Sequence, residues 1–231
     1  MPSSDLTITI ANKNYSSWSL RAWLALAHVG IAFDEVLVPL DEPGTKDAIL
    51  VHSPSGRVPA LRHGDVVVWD SLAIGEYLAE VFPDAKLWPD DRAARAVARA
   101  VSAEMHSGFM ALRQHMPMNL RARLPGMGRT PQSLVDIERV VRLWNDCRAR
   151  FGEGSGAART PGPFLFGRFS IADAMYAPVV ARFATYDVAL DDVCAKYAAA
   201  VLALPAFVRW MKDAEREPQV VAPDEYPRYR Y

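Results

Sequence analysis

The chain has 231 residues, is 51% hydrophobic and 23% charged, and carries a formal net charge of -1. That length can bury a large core in one domain or two smaller ones, and the balanced charge gives no global field that would draw the chain to nucleic acid or to a membrane surface. Its five histidines show no zinc-site spacing and its two cysteines, Cys147 and Cys194, form no C-x-x-C pair, so no metal and no disulfide framework is expected and a reducing cytosol is the simplest setting.

In chain order, the N-terminus carries Asp5 and lacks the basic and apolar regions of a signal peptide, and no apolar run approaches the roughly 18 residues of a membrane span. A soluble intracellular protein is expected. Leu6–Ala11 alternates as a strand, and Ser17–Val29 has helical period with Gly30 as its stop. Phe33–Val38 reads as a second strand, parallel to the first, and Lys46–Val51 as a short helix. Val58–Arg62 and Val66–Trp69 flank the turn His63-Gly64-Asp65 as an antiparallel hairpin, and Ser71–Val81 is again helical. This order predicts a mixed α/β domain over residues 1–83 and a linker over 84–91.

From Arg92 onward no strand pattern appears, and residues 92–231 are expected to form an all-helical domain. Arg92–Met116 carries the stripe Val97, Val101, Met105, Phe109 and Leu112. Pro131–Phe151 carries Leu134, Ile137, Val141, Trp144 and Cys147. Gly152–Pro163 reads as a Gly-rich mobile loop. Ser170–Asp187, Asp192–Leu202 and Pro205–Glu215 read as three further helices, and Pro218–Tyr231 has no period.

Three motifs carry chemistry, each with a plain structural reading beside it, and a fourth is structural alone. Asn14-Tyr15-Ser16-Ser17-Trp18-Ser19-Leu20-Arg21 puts hydroxyls and free N–H groups at a helix start, which either caps the helix or holds an anion such as a thiolate. Gly56-Arg57-Val58-Pro59-Ala60-Leu61 opens an edge strand with proline, or exposes the Val58 backbone to pair with a peptide-like ligand. Asp70-Ser71 caps the next helix, or holds a ligand carboxylate on Ser71 and an ammonium on Asp70. Ser170-Ile171-Ala172-Asp173 reads as a structural capping arrangement. A Ser-His-Asp hydrolase is disfavoured because no G-x-S-x-G elbow occurs, and neither a Walker loop nor G-x-G-x-x-G is present.

Taken in this order, the Ser-rich turn with Arg21, the Gly56–Leu61 stretch, Asp70–Leu78 and Ser170–Asp173 resemble the glutathione S-transferase superfamily over nearly the whole chain. The turn is similar to that of bacterial serine-type enzymes and of the zeta class, whose turn reads Ser-Ser-Cys-Ser. The resemblance implies a thioredoxin-like N-terminal domain, an all-helical C-terminal domain, a homodimer, and glutathione as thiol cosubstrate, with no nucleic acid, membrane or metal partner. It places Ser16 on the activating serine with Ser17 in reserve, and Val58, beside a cis Pro59, on the cysteinyl backbone. Asp70 and Ser71 fall on the γ-glutamyl end, and Arg57 is a weaker candidate for the glycyl carboxylate. Trp18 stands where the zeta class has cysteine, which removes the nucleophile of disulfide exchange.

The expected activity is transfer of glutathione to a small hydrophobic electrophile. A maleylacetoacetate-type isomerase, a peroxidase and a non-catalytic binding module are the alternatives. Met105, Phe109, Met110 and Met116 are candidates for the electrophile's apolar wall, with core favoured for Met105 and Phe109. His106 and Arg113, on other faces of that helix, are either polar site residues or solvated ones.

Overall fold

Leu6–Ile10 forms the first strand, β1. Its alternation of apolar residues and threonine suggests one exposed face, yet all five residues are buried. The computed structural model, which describes residues 5–152 and 161–225, gives the reason. β1 is an inner strand of a four-stranded sheet, parallel to β2 (Asp34–Leu37) and antiparallel to β3 (Ala60–His63), with β4 (Val66–Val68) paired antiparallel to β3 at the edge. Buried Thr7 is satisfied by Arg62, whose Nη2 donates to Thr7 Oγ1 at 3.3 Å.

The helices of this half are α1 (Ser17–Val29), α2 (Thr45–Leu50) and α3 (Ser71–Val81). Ser16 caps α1, and Gly30 ends it at φ 82, a left-handed conformation that glycine adopts without steric cost. The order β-α-β-α-β-β-α is the thioredoxin-like arrangement expected.

The second half contains α4 (Arg92–Ser107), α5 (Met110–His115), α6 (Pro131–Cys147), α7 (Ile171–Thr185), α8 (Asp192–Leu202) and α9 (Pro205–Arg216). The single helix expected over Arg92–Met116 is two helices. Gly108 is extended and Phe109 is left-handed at φ 58, which breaks the ladder between α4 and α5. The apolar stripe hid the break because Met105, Phe109 and Leu112 are buried on both sides of it.

The helix expected over Pro131–Phe151 also ends earlier, at Cys147, and residues 148–152 make a π-type turn. Its Leu134 is 49% exposed, while Val140 and Leu143 turn inward instead. The Gly-rich loop read over Gly152–Pro163 lies largely outside the described residues, as does the end of the aperiodic tail beyond Glu225.

α7 is buried along nearly its whole length and forms the centre of the helical half. Around it, Trp144 of α6 meets the rings of Tyr176 and Tyr197 edge-on at centroid distances of 6.0 and 4.9 Å. Its N-terminus is held by Asp173, which accepts from Ser170 N (2.8 Å), Ser170 Oγ (2.9 Å) and Leu165 N (3.1 Å).

The two halves pack closely. Trp23 of α1 and Trp210 of α9 lie 5.1 Å apart, and Lys13 Nζ bridges Glu35 and Asp213 at 2.7 Å each. A Cβ on Gly75 of α3 would stand only 3.2 Å from the Ile171 side chain, so glycine permits this close approach of α3 to the start of α7. Within the expected linker 84–91, Leu87 and Trp88 are buried, and the Leu87 carbonyl accepts from Ile171 N.

Candidate functional site

Between the sheet half and the α4–α5 corner lie two adjoining cavities of about 720 and 500 Å³, which share Trp18, Arg57, Val58 and Arg113 in their walls. Asp70, Pro59 and His106 line the first, and Ser16, Ser17, Met110 and Arg182 line the second. Three motifs spread over residues 16–70 therefore open onto one cleft, beside residues from the helical half.

The serine turn is held by its own hydrogen bonds. Ser16 Oγ accepts from Ser19 N at 3.3 Å, which is the N-cap of α1, and donates to Ser19 Oγ at 2.8 Å. Ser19 Oγ in turn accepts from Ala11 N, tying the turn to the end of β1. Ser17 Oγ accepts from Arg182 Nη2 at 3.4 Å. Ser16 and Ser17 are both almost buried and face the cleft, while Ser19 is fully buried. The capping role and the cleft-facing role thus fall on the same residue, Ser16.

On the opposite wall the Val58–Pro59 and Trp69–Asp70 peptide bonds are cis. Val58 makes no backbone hydrogen bond among the described residues, and its flank Arg57 is exposed. Asp70 caps α3, its Oδ1 accepting from Leu72 N (3.0 Å) and Ala73 N (3.4 Å). Ser71 is 2% exposed, and its Oγ has no partner among the described residues. A buried hydroxyl left unpaired is destabilising unless something satisfies it. Here it sits in the first turn of an eleven-residue helix, whose dipole favours an anion.

Around Trp18 the electrostatics are strongly positive. The Arg21 guanidinium lies 4.5 Å from the Trp18 ring centroid and that of Arg113 4.6 Å. Arg21 is 1% exposed, and none of its three guanidinium nitrogens has a hydrogen-bond partner among the described residues. Burial, followed by repulsion from Arg182 and Arg113, lowers its pKa to about 9, which still leaves it cationic at neutral pH.

Against this geometry, family models for the glutathione S-transferase N-terminal domain and C-terminal domain match residues 15–81 and 95–213. The chain belongs to the glutathione S-transferase family. It is 27% identical over 176 residues to glutathione S-transferase GstB of Escherichia coli (strain K12), covering 75% of this chain and 81% of that one. A probable maleylacetoacetate isomerase of Caenorhabditis elegans is 38% identical over 96 residues, a match that spans 42% of this chain and 44% of that relative's length. Among solved structures, a glutathione transferase homologue from Burkholderia gl BGR1 with bound glutathione superposes with a TM-score of 0.67 at 23% identity, covering 92% of this chain and 98% of that one.

Within this glutathione S-transferase fold, the residues expected from sequence to serve the site, Ser16, Ser17, Arg57, Val58, Pro59, Asp70 and Ser71, all lie at or beside the cleft. Of the suggested apolar wall, only Met110 faces the cleft, at 54% exposure, whereas Met105, Phe109 and Met116 are core. Met118 and Pro117, from the segment after α5, take their place. Arg182 is another cleft residue that the sequence did not suggest, since it looks like an ordinary helix arginine until α7 is seen to run beneath the serine turn.

Cysteine is remote from this chemistry. Cys147 and Cys194 are buried and free, and burial pushes both thiols up to about 12. No cluster of His, Cys, Asp or Glu suited to hold a metal ion occurs among the described residues.

Arg21 gives a first expected outcome. Arg21→Met, similar in length and uncharged, should raise the thermal midpoint because it removes an unpaired buried cation. In a chain of this size each kcal/mol corresponds to roughly 2–4 °C. Thermal melts of the two proteins check it, and an equal or lower midpoint for Arg21→Met would show that the guanidinium is well served where it lies.

Proposed function

We propose that this chain is a glutathione transferase that holds glutathione in the cleft and activates its thiol through Ser16. The observation that carries the proposal is the convergence of Ser16, Val58 and Asp70 on one cleft, with the adjacent Ser71 Oγ buried and without a partner among the described residues at a helix N-terminus.

The residues present fit that ligand. Ser71 and the first turn of α3 suit the carboxylate of the γ-glutamyl end, and the exposed Asp70 carboxylate suits its ammonium. The Val58 N–H and C=O suit the cysteinyl amide as an added strand would, and Arg57 is the candidate for the glycyl carboxylate. Bound glutathione supplies the nucleophilic sulfur.

The remaining chemistry belongs to the chain. A thiol near the reference value of about 8.5 is mostly protonated at pH 7. Ser16 cannot serve as a base there, but its O–H can donate to a thiolate, turning away from Ser19 to do so. The α1 N-terminus contributes in the same direction, by roughly 0.3–1 kcal/mol, and the cations around Trp18 add to it. The second cavity, with Met110, Met118 and Pro117, is the space for the electrophile. A homodimer, with detoxification of small electrophiles as its role, completes this reading.

An isomerase that uses the same bound thiolate is the second reading, favoured by the 38% identity over 96 residues to a probable maleylacetoacetate isomerase. Retention on immobilised glutathione, followed by turnover of aryl halide, hydroperoxide and maleyl substrates, separates these activities. Neither retention nor turnover would leave a non-catalytic module. A more local expectation is that Asp70→Asn weakens glutathione binding about tenfold, the loss of a charge-assisted hydrogen bond to an ammonium. Titration calorimetry measures it, and unchanged affinity would remove Asp70 from the site.

A further inference from the structure

Asp70 is the one member of the glutathione-facing set whose two carboxylate oxygens are held from different halves of the molecule. Oδ1 is fixed by the N–H groups of Leu72 and Ala73 in its own helix. Oδ2 meets Nε2 of His106 at 3.2 Å, and His106 belongs to the last turn of α4 in the helical half. The His106 ring also stands edge-on to Trp18, with centroids 5.2 Å apart at 78°. It is wedged between the carboxylate and the indole at the wall of the first cavity.

We propose that His106 is a positioning residue for the ammonium subsite, donating from Nε2 to Asp70 Oδ2 and so fixing the carboxylate in the orientation in which it receives the amino group of glutathione. This inference rests on the reading of Asp70 as the ammonium acceptor and deepens it.

The physical case has three parts. A carboxylate accepts up to about four hydrogen bonds, so the contacts with Leu72, Ala73 and His106 leave one acceptor site, on Oδ2, for the ligand. The Asp70 side chain is 53% exposed, and the cap by itself pins one oxygen only. With the second oxygen held from α4, the carboxylate plane is set before a ligand arrives, and less ordering free energy is lost on binding.

The contact also has a defined tautomer. His106 Nδ1 is buried with no partner among the described residues, so the form with hydrogen on Nε2 serves Asp70 and leaves no buried N–H unsatisfied at Nδ1. A neutral N–H donor is then sufficient for the role, and the negative charge of Asp70 remains for the ligand. Because His106 and Asp70 lie on different halves, this subsite is complete only when the helical half is packed against the sheet half.

Two substitutions separate the hydrogen bond from the ring contact. His106→Phe keeps a ring against Trp18 and removes the donor, whereas His106→Gln keeps an N–H donor and removes the ring. Dissociation constants by calorimetry, together with KM and kcat, are to be measured for glutathione and for glutaryl-cysteinylglycine, which lacks the amino group. His106→Phe should raise Kd and KM for glutathione about fivefold to tenfold with kcat within about twofold, and His106→Gln should restore both constants. For glutaryl-cysteinylglycine the His106→Phe enzyme should match the unsubstituted one.

Equal glutathione affinity in His106→Phe and the unsubstituted protein overturns the proposal. So does an equal loss for both ligands, which marks a packing effect. If Asp70→Asn weakens glutathione while His106→Phe does not, the role of His106 falls and that of Asp70 stands. If Asp70→Asn has no effect, the reading of Asp70 falls and takes the proposal with it.

Discussion

Asp173→Ala is expected to lower the stability of the protein by about 3–5 kcal/mol. The substitution strips the acceptor from three donors at the start of α7, namely Ser170 N, Ser170 Oγ and Leu165 N. Two of these are buried backbone groups, and each left unsatisfied costs roughly 1–3 kcal/mol. α7 packs against α1 beneath the serine turn and supplies Arg182 to the cleft, so loosening its first turn affects both halves.

The pH dependence of this penalty has a definite sign. Burial, the largest cause, raises the Asp173 carboxyl to about 6, partly opposed by the hydrogen bonds from Leu165 and Ser170. In the unfolded chain the same group titrates at about 3.9. Between these values the native state holds a proton that the unfolded state has released. The stability this group contributes is therefore greatest below about pH 4 and declines as pH rises through 6. The penalty of Asp173→Ala should shrink by about 2–3 kcal/mol between pH 4 and pH 7. Denaturant unfolding at both pH values tests this, and a penalty that grows with pH would mean that the native carboxyl is held below its unfolded value.

The second large effect is on turnover. Ser16→Ala should reduce kcat/KM for conjugation by about tenfold to a hundredfold, the worth of one hydrogen bond to a charged group. The same change removes the N-cap of α1 and should destabilise the fold by about 1 kcal/mol. Ser17→Ala separates the two serines, since Ser17 Oγ is engaged by Arg182 and caps nothing. A Ser17→Ala enzyme that loses as much turnover as Ser16→Ala would move the assignment to the reserve residue. Kinetics at a fixed saturating glutathione concentration, with stability followed in parallel, keeps the two consequences of Ser16→Ala apart.

Much of this architecture was legible because its signals are local. α1 begins and ends where Ser16 and Gly30 predict, and α3 starts after Asp70, because capping depends on residues within one turn. The break between α4 and α5 was not legible. The apolar period runs through Gly108-Phe109 unchanged, and the left-handed Phe109 keeps its side chain in the core. Leu134 misled for the opposite reason, since it fits the stripe of α6 while the buried face is rotated toward Val140 and Leu143.

The site divides in the same way. Ser16, Val58 and Asp70-Ser71 could be found because each lies in a turn with its own chemistry. Arg182 and Met118 reach the cleft only through the packing of α7 and the segment after α5, and no nearby residue announces it. The contact of His106 with Asp70 spans the two halves and is invisible to any local pattern. Arg21 was visible as a residue of the turn, but not as an unpaired buried cation stacked on Trp18.

The central claim is that Ser16 stabilises a thiolate, and the pKa of the glutathione thiol on the enzyme tests it most directly. Ultraviolet titration of thiolate absorbance in the binary complex should place that pKa below the reference value of about 8.5 in the unsubstituted protein. In Ser16→Ala it should lie about one to two units higher, since each unit corresponds to about 1.4 kcal/mol of lost anion stabilisation. An identical thiol pKa in the two complexes, with glutathione bound in both, would contradict the account.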